Sequence, residues 1–224
     1  MNLLVTAPAY YPDPSVLPMV RSAKHFGIPL QTYGDGSQSY PGWITSHIDD
    51  LRKFLEARAG EYDTVLFSDA ADAFFCCPLD RIVVSLMTMW LSRPPTDFLV
   101  LSAESDCYPN ADLARHFPDT GTPWRYPNGG GFVATMARAI RALTLLQSCL
   151  SGNPQLRWHQ ACAEGNLKYK IDSRCDIFQT MSGQGDNVVM YAGKPHNPIT
   201  GSYPCILHFN GTHDWEPWYQ KVIG

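Results

Sequence analysis

Short apolar runs alternate along the chain with longer segments in which apolar residues recur every three or four positions. The short runs predict β-strands at residues 3–7, 29–33, 64–68, 98–102 and 132–134. The longer segments predict helices at residues 16–26, 48–59, 81–91 and 134–150. The inward faces would be formed by Leu51, Leu55 and Ala59 in the second helix and by Ile140, Leu143, Leu146 and Leu150 in the fourth. This alternation predicts an α/β fold, with helices on both faces of a sheet.

One domain that spans residues 1–224 is the expected organisation. The chain has 224 residues, of which 45% are hydrophobic, and this is enough for one sizeable core. Length alone leaves two small domains open. The sequence shows no internal repeat and no low-complexity linker that would mark a boundary between them.

Charge and composition indicate which partners and which cellular compartment to expect. The formal net charge of -4 gives no overall basic footprint for nucleic acid, although a local basic groove stays open. The sequence contains no run of about 18 apolar residues and no signal-peptide pattern, so we expect a cytoplasmic protein with no membrane partner. The seven cysteines predict reduced thiols, and the adjacent pair Cys76 and Cys77 lacks the CxxC spacing of a zinc site.

Two carboxylates close the most apolar predicted strand, in the run TVLFSDAADAFF. Asp69 and Asp72 follow this strand directly, at the edge of a sheet where α/β proteins bind ligands. Asp is a common cap and turn residue, so a purely structural role is one interpretation. The other is a site for a hard divalent cation such as Mg²⁺ or Mn²⁺, for which carboxylate oxygens are suitable ligands.

Polar segments elsewhere in the chain strengthen the second interpretation. LSAESDCYP ends another predicted strand in Glu104 and Asp106. NGGGF places three glycines before a strand, where they form either a plain turn or a close backbone approach to a ligand. HFNG includes His208, which is either a hydrogen-bonded core residue or a group at a strand end that faces a cleft.

These segments together resemble a known family. FSDAAD, LSAESDCYP, NGGGF, IDSRCDIFQ and HFNG occur here in the order found in the glycosyltransferase domain of the procollagen lysyl hydroxylases and their relatives. The similarity begins near residues 20–27 and covers nearly the whole chain. It implies a single GT-A-type domain with a Rossmann-like mixed sheet, a UDP-sugar donor, and a bound Mn²⁺ or Mg²⁺ ion.

Residue roles follow from the matching positions. The resemblance implies Asp69, Asp72 and His208 as metal ligands. It implies donor contacts for Thr6, Asp69, Gly129, Gly130, Asn210 and Gly211. It places Asn128 and Glu104 near the donor sugar.

The sequence also departs from the family pattern. Ala71 stands where relatives often carry an aromatic residue that stacks on uracil, and Tyr108 replaces a tryptophan. The Asp-Asp-Gln motif of relatives has two candidate equivalents, Trp158-His159-Gln160 and Asn153-Pro154-Gln155, and neither retains the acids. The catalytic candidates are therefore Glu104, Asp106, Asn128 and Gln160, with His159 as an alternative base.

The resulting hypothesis is a metal-dependent glycosyltransferase that moves glucose or galactose from a UDP-sugar to a hydroxyl group. The acceptor would be a hydroxylysine-like protein side chain or a hydroxymethylated DNA base. Two alternatives stay open, a catalytically degenerate domain that binds a sugar nucleotide and a different metal enzyme such as a phosphohydrolase. The NGGGF and HFNG segments count against the phosphohydrolase.

Overall fold

The computed structural model describes residues 2–34, 42–89, 96–149, 151–184, 187–211 and 214–224, and it describes the side chains of all of these except residues 42–46. The strands are β1 (Leu3–Pro8), β2 (Leu30–Tyr33), β3 (Thr64–Ser68), β4 (Ala73–Phe75), β5 (Leu99–Glu104), β6 (Tyr126–Thr135), β7 (Lys170–Ile171), β8 (Phe178–Thr180), β9 (Val189–Tyr191), β10 (Lys194–His196) and β11 (Ile206–His208). The helices are α1 (Pro18–His25), α2 (Gly42–Glu56), α3 (Leu79–Thr88), α4 (Met136–Gln147), α5 (Pro154–Ala163) and α6 (Glu216–Ile223), and 3-10 helices span Pro14–Val16 and Ala111–His116.

Six strands form a mixed sheet in the order β2-β1-β3-β6-β5-β7. β1 pairs parallel with β2 and β3, whereas β6 runs antiparallel to both of its neighbours, β3 and β5. β3 and β5 therefore end at the same edge of the sheet, where β6 begins. A second sheet has the strand order β4-β11-β8. Its strand β4 follows the turn after β3, so the second sheet lies next to this edge.

Helices cover both faces of the main sheet, as the sequence predicts. Neighbouring residues of each strand point to opposite faces, so Leu4 of β1 packs in one core cluster and Val5 in the other. The first cluster includes apolar side chains of α2, α4 and α5, and the second includes those of α1 and α3. The mixed α/β fold is thus confirmed.

Several predicted boundaries differ from the structure. α2 ends at Glu56, and Ala59, predicted to face inward, lies exposed in the following turn. That turn brings the chain back to Thr64, the first residue of β3. β6 begins at Tyr126, six residues before the predicted start, because the glycine run lies inside the strand. Leu91 and Leu150, at the predicted ends of two helices, lie outside the described residues.

The structure also describes the cysteines and the apolar character of the helices. All seven cysteines carry free thiols. Within the described ranges, no helix combines the length and the apolar character that crossing a membrane requires.

Candidate active site

The two predicted metal-binding carboxylates lie in the turn that joins β3 to β4. The Asp69 N–H donates to the Gly130 carbonyl at 2.8 Å, and the Phe209 N–H donates to the Asp72 carbonyl at 2.7 Å. β4 pairs antiparallel with β11, which sets Ala73 opposite His208. The turn is therefore fixed to β6 on one side and to the end of β11 on the other.

This pairing brings the imidazole of His208 between the carboxylates. His208 Nε2 lies 3.5 Å from Asp69 Oδ2 and 3.5 Å from Asp72 Oδ1. One ligand atom from each of the three residues lies within 4.8 Å of the others. Ligand oxygens lie about 2.0–2.1 Å from Mg²⁺, so a small contraction of the cluster would let all three residues hold one cation. Two carboxylates and one imidazole are also the donor types that Mn²⁺ and Mg²⁺ accept.

The electrostatics of this cluster also suit a cation. Burial raises the pKa of Asp69, and the charge of Asp72 raises it further, while His208 opposes the shift. Burial lowers the pKa of His208, but the carboxylates of Asp72, Asp69 and Glu104 outweigh it and raise the pKa overall. Without a metal, a protonated imidazole offsets part of the negative charge of these carboxylates. A divalent cation would supply more positive charge at the same place.

A glycine bulge in β6 leaves room for the cluster. Opposite β5, the register passes from Leu101↔Phe132 to Ser102↔Asn128, so three glycines of β6 loop out between two successive residues of β5. A Cβ on Gly130 would overlap His208 Cε1 and would lie 2.6 Å from Asp69 Oδ2. The glycine run therefore has a packing cause.

Trp158 likewise leaves no room for a side chain at the neighbouring Gly129. A Cβ on Gly129 would overlap the indole ring of Trp158, which is only 3% exposed and packs beside Phe132. At Gly129 and Gly130 alike, it is protein side chains that approach the backbone closely.

Glu104 ends β5 in a network of amides. Its Oε2 accepts hydrogen bonds from Asn128 Nδ2 at 3.1 Å and Asn210 Nδ2 at 3.0 Å, and its Oε1 accepts one from Gln155 Nε2 at 2.5 Å. Burial raises the pKa of Glu104 to about 7, although the amide hydrogen bonds oppose the shift. A carboxyl group that titrates near neutral pH is suited to proton transfer.

These groups line one cavity of about 810 Å³, a volume typical of small-ligand sites. Four carboxylates face it, those of Asp69, Asp72, Glu104 and Asp106, and no Lys or Arg is found among its described lining residues. Its apolar wall consists of Ile48, Leu51, Phe67, Phe132, Leu143 and Trp158. The cavity therefore combines an acidic floor with a wall that suits a ring.

Comparison with known proteins identifies the family. The family model described as the PLOD GT domain, where GT denotes glycosyltransferase, matches residues 2–216. The chain belongs to this family. The resemblance found in the sequence is thus confirmed. Membership of the family makes this PLOD GT domain a glycosyltransferase by class.

Relatives place this PLOD GT domain in context. It is 25% identical over 225 residues to the multifunctional procollagen lysine hydroxylase and glycosyltransferase LH3 of Homo sapiens, a match that covers 94% of this chain and 30% of that protein. It is 28% identical over 119 residues to an uncharacterised protein of Acanthamoeba polyphaga mimivirus, covering 52% of this chain and 25% of the other. The chain thus spans less than a third of the length of these relatives.

A solved structure shares the fold. The crystal structure of a glycosyltransferase involved in the glycosylation of the major capsid of PBCV-1 aligns with a TM-score of 0.56, covering 99% of this chain and 98% of the other. The identity is 9%, so this similarity concerns the fold alone.

Most of the predicted site residues of the PLOD GT domain line the cavity. They are Asp69, Asp72, Glu104, Asp106, Asn128, Gly129, Gly130, His208, Asn210 and Gly211. Thr6 and Gln160 are not among the described residues that line it. Thr6 is buried within β1, and Gln160 is half-buried in α5.

Gln155 of α5 lines the cavity, together with Pro154 and Trp158 of the same helix. It comes from the second candidate for the Asp-Asp-Gln motif, Asn153-Pro154-Gln155. The Asn153 side chain caps the helix by accepting the Leu156 N–H, and Pro154 occupies the first turn. This Asn-Pro start signal, which the sequence displays, sets the position of Gln155 at the helix N-terminus beside Glu104.

Proposed function

We propose that this protein is a divalent-metal-dependent hexosyltransferase that uses a UDP-sugar donor and a hydroxyl acceptor. The observation that carries the proposal is the convergence of Asp69, Asp72 and His208 in the cavity that also contains the Glu104 amide network. These residues come from distant parts of the chain, which also supports one transferase domain.

Charge explains why such a donor would need a cation here. A nucleoside diphosphate is anionic, and the described lining offers carboxylates without a Lys or Arg to offset them. The diphosphate would therefore be repelled from a metal-free cavity. A Mn²⁺ or Mg²⁺ ion held by the Asp-Asp-His cluster would offset the charge that develops on the diphosphate as the sugar departs.

The remaining lining residues would either bind the donor or transfer a proton. The apolar wall beside Phe67 and Trp158 suits the flat face of a nucleobase. Asn128 and Asn210 lie beside Glu104, where their amides can orient sugar hydroxyls. Glu104 is the group we assign to proton transfer, since the family's Asp-Asp acids are absent from α5.

The negative charge of the cavity favours one class of acceptor over the other. A DNA acceptor carries a phosphate backbone, which binds to lysine and arginine rather than to carboxylates. Asp106, exposed and facing the cavity, would repel such a chain. We therefore assign a hydroxylated protein side chain as the acceptor in preference to a hydroxymethylated DNA base.

A second candidate function is donor binding without turnover. It is favoured by one observation, the replacement of the family's acids by Asn153 and Pro154. The two candidates differ in whether UDP is released from a UDP-hexose.

Calorimetry and a donor-cleavage assay test the proposal together. UDP should bind more tightly with Mn²⁺ than with EDTA, and Asp72→Asn should lose most of that difference, while Asp80→Asn, outside the described lining, should keep it. Equal UDP affinity with and without metal would overturn the proposal. UDP binding with no release of UDP from UDP-glucose or UDP-galactose, with any acceptor supplied, would select the second candidate.

A further inference from the structure

His159 lies beneath the site without reaching the cavity. Its side chain is fully buried, in contact with the first residues of β6, which lead into the glycine bulge. Its Nε2 lies 2.8 Å from the Pro127 carbonyl oxygen, 3.0 Å from Gln155 Nε2 and 3.7 Å from Glu104 Oε1. Since His159 is not among the described residues that line the cavity, it is not placed to remove the proton of an acceptor hydroxyl.

The neighbours of His159 determine its tautomer. The Gln155 amide has two N–H groups, and these donate to Glu104 Oε1 at 2.5 Å and to the Pro127 carbonyl at 2.7 Å. Gln155 therefore has no further N–H for the imidazole. The hydrogen bond at Pro127 accordingly requires a proton on His159 Nε2, and Nδ1 is left facing the Cys107 thiol at 3.6 Å.

The two partners of His159 orient both sides of the proton-transfer group. Pro127 directly precedes Asn128, which donates to Glu104 Oε2. Gln155 donates to Glu104 Oε1, and its own Oε1 accepts the Gly129 N–H at 2.8 Å. Movement of the Pro127 carbonyl or of the Gln155 amide would therefore change the position of the Glu104 carboxylate.

We propose that His159 is a positioning residue for the transfer reaction, which holds Glu104 in place through Pro127 and Gln155. The inference rests on the proposed hexosyltransferase function. Without the imidazole, the Pro127 carbonyl loses one of its two side-chain donors, and the Gln155 amide, which donates to both that carbonyl and Glu104, loses a neighbour that fixes its orientation.

Substitutions that separate hydrogen bonding from packing test this role. His159→Leu keeps the volume and removes the donor, so kcat should fall about 10- to 100-fold, as expected for a misplaced catalytic group. KM for the UDP-sugar should stay within about twofold, because donor binding is unchanged. His159→Gln supplies an N–H near the position of Nε2 and should recover most of kcat. Cys162→Ala, a change at another buried residue of α5, should lower stability without lowering kcat.

The outcomes are distinct. Wild-type kcat in His159→Leu, or an equal loss of kcat in the Leu and Gln variants, would overturn the positioning role. Nitrogen NMR of the unaltered protein gives a second readout that needs no folded variant. It should show a neutral His159 with the proton on Nε2, and an imidazolium or an Nδ1–H tautomer at neutral pH would overturn the inference. If the wild-type protein transfers no hexose, the proposed function fails, and the tautomer measurement still tests the hydrogen bonding.

Discussion

Gly130→Ala adds one methyl group at the most crowded point of the candidate metal site. The new Cβ would overlap His208 Cε1 and lie 2.6 Å from Asp69 Oδ2 and 3.1 Å from Asn128 Oδ1. The φ angle of Gly130 is not positive, so the alanine would be strained by contacts and not by backbone conformation. Both His208 and Asp69 must move, and both are predicted metal ligands.

The magnitude follows from the cost of overpacking. An extra methyl group in a filled site typically costs about 1–3 kcal/mol. The side chains can relax in the metal-free protein but must return to their places to bind a cation, so most of this cost should fall on the metal-bound state. Since about 1.4 kcal/mol changes an equilibrium tenfold, the Kd for Mn²⁺ should rise about 5- to 150-fold.

Calorimetric titration of Mn²⁺ in the presence of UDP measures this change. Gly60→Ala is the matched control, because a Cβ on Gly60 would have no neighbour within 4 Å and Gly60 likewise has no positive φ. The control should bind Mn²⁺ like the parent. If Gly130→Ala binds Mn²⁺ as tightly as Gly60→Ala does, the assignment of the metal site is wrong.

Three further changes test separate parts of the account. Carboxylates raise the pKa of His208, and a cation must displace the proton of its imidazole. Mn²⁺ affinity should therefore fall as the pH is lowered from about 8 to about 6. Titrations that show no pH dependence would exclude His208 as a ligand. Glu104→Gln should lower kcat about 100-fold or more while Mn²⁺-dependent UDP binding persists, and unchanged turnover would remove Glu104 from the reaction. Asp172→Ala should destabilise the fold by about 1–3 kcal/mol in thermal unfolding, because it leaves three N–H groups, two of them buried, without their carboxylate acceptor, and metal affinity in the folded protein should not change.

The sequence correctly predicts those elements whose residues follow a single clear pattern, such as an uninterrupted apolar run. All five residues of β3 are buried, and the apolar run predicts this strand with both ends correct. The carboxylates after it are predicted to lie at a ligand-binding edge, and the structure places them in the cavity. Strand direction explains this success, because β3 and β5 end at the same edge.

The parts that the sequence does not predict depend on contacts between distant residues. The glycines of β6 are typical of a loop, and only the crowding by His208 and Trp158 explains why they interrupt a strand instead. The spacing of apolar residues does not predict α5, because its buried face includes the polar residue His159 beside Trp158. Which of Gln155 and Gln160 faces the site depends on where that helix begins, and the motif alone does not show this.

Transfer of a hexose in the presence and absence of metal is the measurement that tests the central claim most directly. The protein would be incubated with UDP-glucose or UDP-galactose and a hydroxylysine-containing peptide, with Mn²⁺ or with EDTA, and the products analysed by mass spectrometry. The account predicts a peptide heavier by one hexose with Mn²⁺, no such product with EDTA, and none from Asp72→Asn. Equal transfer in EDTA, or undiminished transfer by Asp72→Asn, would contradict the metal-dependent mechanism.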